Sequence, residues 1–428
     1  MKFHSTRGRS PEVSFSEALL AGLAPDGGLY VPGQWPELPH LAPAPLPELG
    51  RALIGAFAAD DALAAELPAI TADAFNFPAP LKPLGDSGRL AVLELFHGPT
   101  AAFKDFGARF LAAALERIPR PGGRPLRILV ATSGDTGGAV AAAFHRRPGI
   151  EVVVLFPKGL VSPTQQQQLT CWGDNVTSLA VRGSFDDCQR LVKEAFVDPD
   201  MRARAQMSSA NSINLGRLLP QAVYYAASSL EVLARTGRKA SYIIPSGNLG
   251  NAAACVWARR MGLPIDRIVL AHNANLTVPE FLQSGQLRPR PSVATLASAM
   301  DVGNPSNLER LLDMFPAPGE LAGQVSADWV DDEAIRARIR TDFAALGETW
   351  CPHTATAAEV YARLPAAERE GRHWVLVATA HPAKFREIVE PLVGKVTVPD
   401  NLKRLYDLPS HFTEINPTLS DLAHAVGG

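Results

Sequence analysis

The chain has 428 residues, 46% of them hydrophobic and 20% charged, with a formal net charge of -2. This length predicts two domains and a sizeable core, and the small net charge gives nucleic acid no electrostatic footing. No apolar run approaches a membrane span, and Met1 to Gly8 lacks the apolar core of a signal peptide, so a cytoplasmic protein is expected.

Residues 1–85 read as an accessory segment. Val13 to Leu20 starts like a capped amphipathic helix, and Ala24 to Pro32 reads as a tight turn into an extended piece. Leu41 to Pro47 is a proline-punctuated linker, and Arg51 to Ala58 and Asp61 to Leu67 look helical. No strand here is long enough to found a sheet.

From about Arg89 the chain alternates strand and helix. Strands are predicted at Leu90 to Leu95, Leu126 to Ala131, Val152 to Phe156 and Val176 to Val181. Helices are predicted at Lys104 to Leu115, Gly138 to Arg146, Gln165 to Cys171 and Phe185 to Phe196. One long helix should run from Ile213 to Ala234. Alternation then resumes with strands Ser241 to Pro245, Arg267 to Ala271 and Trp374 to Ala378. Between and after them, helices are expected at Gly250 to Arg260, Val278 to Ser284, Asp331 to Leu346, Thr354 to Leu364 and Ala383 to Leu392. Repeated β-α-β units mean parallel sheets covered on both faces. The fold class is therefore α/β: two parallel-sheet domains, 86–235 and 236–428, with a site in the cleft between them at the carboxyl ends of the strands.

Several stretches carry chemistry. Lys104 sits among Phe96, Ala101, Ala102, Phe103, Phe106 and Phe110. Desolvation disfavours the ammonium, so such a lysine becomes a usable nucleophile and base; a solvated lysine at a helix start is the plainer alternative. Two glycine turns follow strands and open helices: Thr132-Ser133-Gly134-Asp135-Thr136-Gly137-Gly138 and Pro245-Ser246-Gly247-Asn248-Leu249-Gly250-Asn251. Backbone N–H groups and the helix dipole can cradle an anion there, although ordinary tight turns look the same. Thr379, before Ala380-His381-Pro382, puts a neutral hydroxyl at a strand end; its alternative role is a helix cap. Asn211, Ser212, Asn214 and Arg217 gather amides, a hydroxyl and a guanidinium, which suits a phosphate dianion. Asn214 and Arg217, three apart, would share a helix face, and Lys158 is a further candidate. Cys171, Cys188, Cys255 and Cys351 are scattered, so reduced thiols and no metal site are expected. An imine-forming lysine, two anion cradles and a strand-end hydroxyl are the parts that pyridoxal 5'-phosphate requires.

In combination these motifs resemble the threonine synthase family, pyridoxal-phosphate enzymes of fold type II with a tryptophan-synthase-β-like fold. The likeness runs through Ser5 to Gly8, Gly22 to Tyr30, His97 to Phe106, Thr132 to Gly137, Ala210 to Asn214, Met300 to Gly303 and Thr379 to Pro382. It implies that Lys104 carries the cofactor and that Gly247, Asn248, Leu249, Gly250 and Asn251 hold its phosphate. Thr379 would face the pyridine nitrogen. Ser133, Asp135 and Thr136 would take the substrate carboxylate, with Asn211, Ser212, Asn214, Arg217 and Lys158 toward the substrate phosphate. Many relatives carry Phe and Asp where this chain has Leu249 and Asn251; a loop that binds through backbone amides tolerates both changes. The implied reaction converts O-phospho-L-homoserine and water to L-threonine and phosphate, in a monomer or dimer without nucleic-acid or membrane partners. The alternatives are a phospho-lyase that releases 2-oxobutyrate from the same substrate and a non-catalytic binding protein of the same fold.

Overall fold

The computed structural model describes residues 1–38, 41–120, 124–132 and 134–427. Its strands are β1 (Phe3–Ser5), β2 (Tyr30–Pro32), β3 (Leu81–Pro83), β4 (Leu90–Glu94), β5 (Leu126–Ala131), β6 (Ile150–Pro157) and β7 (Val176–Val181). They continue with β8 (Gln206–Ser209), β9 (Ala240–Pro245), β10 (Ile265–His272), β11 (Ser326–Trp329), β12 (His373–Ala378) and β13 (Thr413–Ile415). They form a two-stranded antiparallel ribbon, β1-β2, and two larger sheets. The six-stranded sheet has the order β11-β10-β9-β12-β4-β3, parallel except at the β3-β4 edge. The five-stranded sheet, β13-β7-β6-β5-β8, is parallel throughout.

The apolar runs explain the centres of both sheets. Every residue of β5, β9 and β12 is buried, as a parallel strand with helices on both faces requires. The sheets do not follow the sequential division into 86–235 and 236–428. Strand β4 pairs with β12 along Trp374↔Leu90 to Ala378↔Glu94, and β13 crosses back to β7. The six-stranded sheet therefore takes β3 and β4 from before residue 236, and the five-stranded sheet takes β13 from after it.

Local departures have local causes. The expected long helix is three pieces: Leu215–Leu218, a 3-10 turn Leu219–Gln221, and Ala222–Thr236. Pro220 lies at the break, where it has no N–H to give. The helix expected at Asp61 to Leu67 is instead a 3-10 turn at Ala64–Glu66 leading into a helix at Leu67–Ala74, with Pro68 in its first turn. Likewise Pro47 opens the helix Leu46–Ala58 rather than ending a linker, since proline is tolerated where helix N–H groups have no partner. Strands β8, β11 and β13 were not legible. All three are three or four residues long and lie at sheet edges, and β8 also carries a polar sequence. Among the described residues no helix is long and apolar enough to cross a membrane.

Candidate active site

The lysine segment is fixed by its backbone. Ala101 takes φ 54°, a left-handed conformation that costs alanine roughly 1 kcal/mol. Around it, the His381 N–H donates to the Ala101 carbonyl (3.0 Å) and the Phe103 N–H to the Thr379 carbonyl (2.9 Å). Ala102 bridges Ala380. Lys104 then begins the helix Lys104–Arg117. Asp105 staples the turn by accepting from the Thr100 N–H (2.9 Å) and hydroxyl (2.7 Å). The end of β12, with Thr379, and the start of the lysine helix are thus one rigid unit.

Lys104 is half-buried in the wall of a cavity of about 1930 Å³. Burial brings its amine down to about 8; Arg217 and Lys384 add to the effect, and Asp135 opposes it. Across the cavity, Thr132 takes the N–H groups of Gly134 and Gly137 on its hydroxyl, both at 2.9 Å. This shapes the turn before the helix Asp135–Phe144. The Asp135 carboxylate is buried and receives the Lys384 ammonium at 2.9 Å. Despite burial, Lys384 and Lys104 hold it well below the usual carboxylate range. His353, also buried, is brought down to about 4 by burial and so is neutral; its Nε2 accepts from the Ala299 N–H (3.0 Å).

The second glycine turn joins β9 to the helix Gly250–Arg260. Leu249 has φ 60°, which aims the turn. A Cβ on Gly247 would lie 2.8 Å from the Met300 Cα, so only glycine lets the two segments approach. Asn248 accepts from the Ser306 N–H (2.8 Å) and donates to the Ser212 hydroxyl (3.1 Å), tying the turn to its neighbours. Asn251 receives the hydroxyls of Tyr224 (2.6 Å) and Tyr225 (2.7 Å) on its Oδ1.

Of the expected site residues, Lys104, Asp135, Thr136, Asn211, Ser212, Arg217, Thr379 and Gly247 to Asn251 all line this one cavity. Ser133 lies outside the described residues. Two expectations are corrected. Asn214 caps the helix Leu215–Leu218 by accepting from the Gly216 N–H, and its amide donates to the carbonyls of Leu19 and Ser209. Fully buried and fully bonded, it has nothing left for a ligand. Lys158 is exposed just past the carboxyl end of β6, outside the cavity lining, and pairs with Glu414 on β13 at 2.6 Å. Lys384, His353 and Gln165 were missed. The segment Pro382-Ala383-Lys384-Phe385 carried the same signal as the lysine motif, a cation in an apolar setting.

Residues 75–380 match the family model for pyridoxal-phosphate dependent enzymes, and residues 2–75 and 354–426 match the N-terminal and C-terminal models of threonine synthase. Threonine synthase from Escherichia coli is 38% identical over 415 residues, covering 96% of this chain and 95% of that protein. The chain belongs to the threonine synthase family. It is a pyridoxal-phosphate-dependent lyase that acts on a small-molecule substrate. The crystal structure of the Escherichia coli threonine synthase superposes with a TM-score of 0.89 at 36% identity over 100% of this chain and 99% of that one. A pyridoxal-phosphate-bound threonine synthase from Brucella melitensis gives a TM-score of 0.92 at 34% identity, covering 100% and 98%.

The cavity's chemistry suits the family's cofactor. A half-buried amine brought down to about 8 suits an aldehyde, and the turn before Gly250–Arg260 suits a phosphate. Among the described residues, Asn211 Oδ1, Arg217 Nε and Asn251 Nδ2 are buried polar atoms without a protein partner, and all three residues line the cavity. A polar ligand is what such atoms need.

Proposed function

We propose that this enzyme makes L-threonine and phosphate from O-phospho-L-homoserine and water, with Lys104 as both the attachment point of the cofactor and the proton carrier. The observation that carries this reading is the lysine itself: an amine brought down to about 8, on a segment bonded to Thr379, in one cavity with two glycine turns. When bound, the cofactor supplies an electron sink for the pair left at the substrate's α-carbon.

The remaining work falls to side chains. The backbone of Gly247 to Asn251 would hold the cofactor phosphate, and the Thr379 hydroxyl would meet the ring nitrogen without adding charge there. Thr136, with Ser133, would orient the substrate carboxylate. Arg217, Asn211 and Ser212 would bind the substrate phosphate, with the guanidinium as the cationic donor. The free Lys104 amine would take a proton from the α-carbon and then serve the β-carbon. Loss of the β-proton expels phosphate from the γ-carbon. Protons returned to the γ-carbon and the α-carbon, with the hydroxyl of water added at the β-carbon, complete threonine. The same reading takes the enzyme as cytoplasmic, a monomer or dimer, without nucleic-acid or membrane partners; its small net charge supports this.

Product analysis tests the reading. Purified protein with pyridoxal phosphate and O-phospho-L-homoserine should release threonine and phosphate in equal amounts. Phosphate accompanied by 2-oxobutyrate and little threonine would mean that the reaction stops before water adds. No phosphate release would reject both.

A further inference from the structure

Two buried carboxylates accompany Lys104, Asp105 as the next residue and Asp135 in the lining of the same cavity, and each is separately occupied. Asp105 is taken by the N–H and hydroxyl of Thr100. Asp135 is taken by Lys384, whose side chain is completely buried. The Lys384 Nζ lies 2.9 Å from Asp135 Oδ1 and also donates to the Thr100 carbonyl at 2.9 Å. The Gln165 amide reaches the same Asp135 oxygen at 3.4 Å, and the Gln168 amide donates to the same Thr100 carbonyl at 3.0 Å. The pair also joins the two sheets. Asp135 begins the helix after β5, and Lys384 lies in the 3-10 turn Pro382–Phe385 after β12.

A buried ion pair is weak support for stability, because desolvation offsets most of its attraction. A chemical role explains its place better. An Asp135 carboxylate without Lys384 would have Lys104 as its cationic partner in the cavity, and a lysine so paired keeps its proton. We propose that Lys384 is a positioning residue: its ammonium, held between Asp135 and the Thr100 carbonyl, engages the carboxylate that would otherwise keep Lys104 protonated and unreactive. The inference rests on Lys104 being the reactive amine. The groups that bear on that amine are Asp135, Arg217 and Lys384; those that bear on Asp135 are Lys384, Lys104 and the neutral His353.

The test is pH-dependent labelling of Lys104 in the full chain freed of cofactor. Brief acetic anhydride pulses acetylate the free amine, with acetate leaving and the amine's proton passing to solvent. The peptide containing Lys104 is then quantified by mass spectrometry. In wild type the midpoint should lie near the amine's value of about 8. Lys384→Met should move it up by about one pH unit, and Asp135→Asn should move it down, as expected for removing opposite charges nearby. The double variant should return toward wild type, because the two effects act through one another. A merely structural role would not give opposed shifts that cancel. An unmoved midpoint in Lys384→Met, or two shifts of the same sign, overturns the proposal. If Lys384→Met does not fold, an unmoved midpoint in Asp135→Asn overturns it alone. Cofactor-loaded wild type is the separate control. Protection of Lys104 there supports its assignment as the cofactor amine, and full labelling refutes that assignment.

Discussion

Asn214 and Arg217 stand three residues apart, yet the fold gives them opposite work. Asn214 is spent on three backbone groups, whereas Arg217 is buried with its Nε unpartnered at the cavity. Asn214→Ala should therefore cost stability, about 3 kcal/mol, by leaving two buried carbonyls unpaired and removing a helix cap. The KM for substrate should hardly change. Arg217→Lys keeps a charge but loses the planar fork, so it should raise KM about tenfold or more with little loss of stability. Denaturant melts and initial rates on both variants separate the roles; a raised KM in Asn214→Ala with unchanged stability would reverse them. The sequence located this cluster but misassigned Asn214. A shared helix face was assumed, but Asn214 precedes the helix as its cap, so its side chain folds back onto Gly216. Lys384 escaped notice for a related reason. A buried lysine is intelligible only with its carboxylate, and Asp135 is 249 positions away in the sequence.

At the scale of elements, the lysine helix and the short helix that carries Arg217 approach most closely at Gly107. A Cβ on Gly107 would lie 2.3 Å from the Arg217 carbonyl oxygen, and that oxygen belongs to the backbone and cannot swing aside. Gly107→Ala should thus push the two elements apart. A cost of roughly 1–3 kcal/mol is typical of such overpacking, and activity should fall further than stability, because Lys104 and Arg217 move relative to each other. Gly323→Ala, in the helix Glu320–Gln324 with nothing within 4 Å, is the comparison for the same change without the contact. Equal losses in the two variants would mean that the helix contact is unimportant. The elements themselves were largely legible where burial was complete, as in β5, β9 and β12. Such runs read as parallel strands because both faces must be apolar. Edge strands such as Ser326–Trp329 are only partly buried, so their residues obey no such constraint and carry no pattern.

For the whole molecule, the sequence revealed the long buried strands but not which strands are neighbours. Pairing depends on contacts between distant segments, and the boundary expected at 235/236 shows the consequence. Cutting the chain there would strip β12 of β4, its partner along five residue pairs. It would also strip β7 of β13. Val92 and Leu93 are buried in β4, and Trp374 to Ala378 are buried in β12. Burial of each large apolar side chain contributes about 1.5–3 kcal/mol, and a whole domain is stable by only about 5–15 kcal/mol. Losing that interface removes a comparable amount from each half. Residues 1–235 and 236–428, expressed separately, should each lack a cooperative thermal transition by circular dichroism. Mixed during refolding, they should regain one, because only together do they supply both sheets. A cooperative transition in either half alone would show that the exchanged strands are dispensable. The same exchange bears on the site. Lys104 follows β4 and Thr379 follows β12, so the strand pairing that binds the two halves of the sequence is what holds together the two segments proposed to carry the cofactor and to meet its ring.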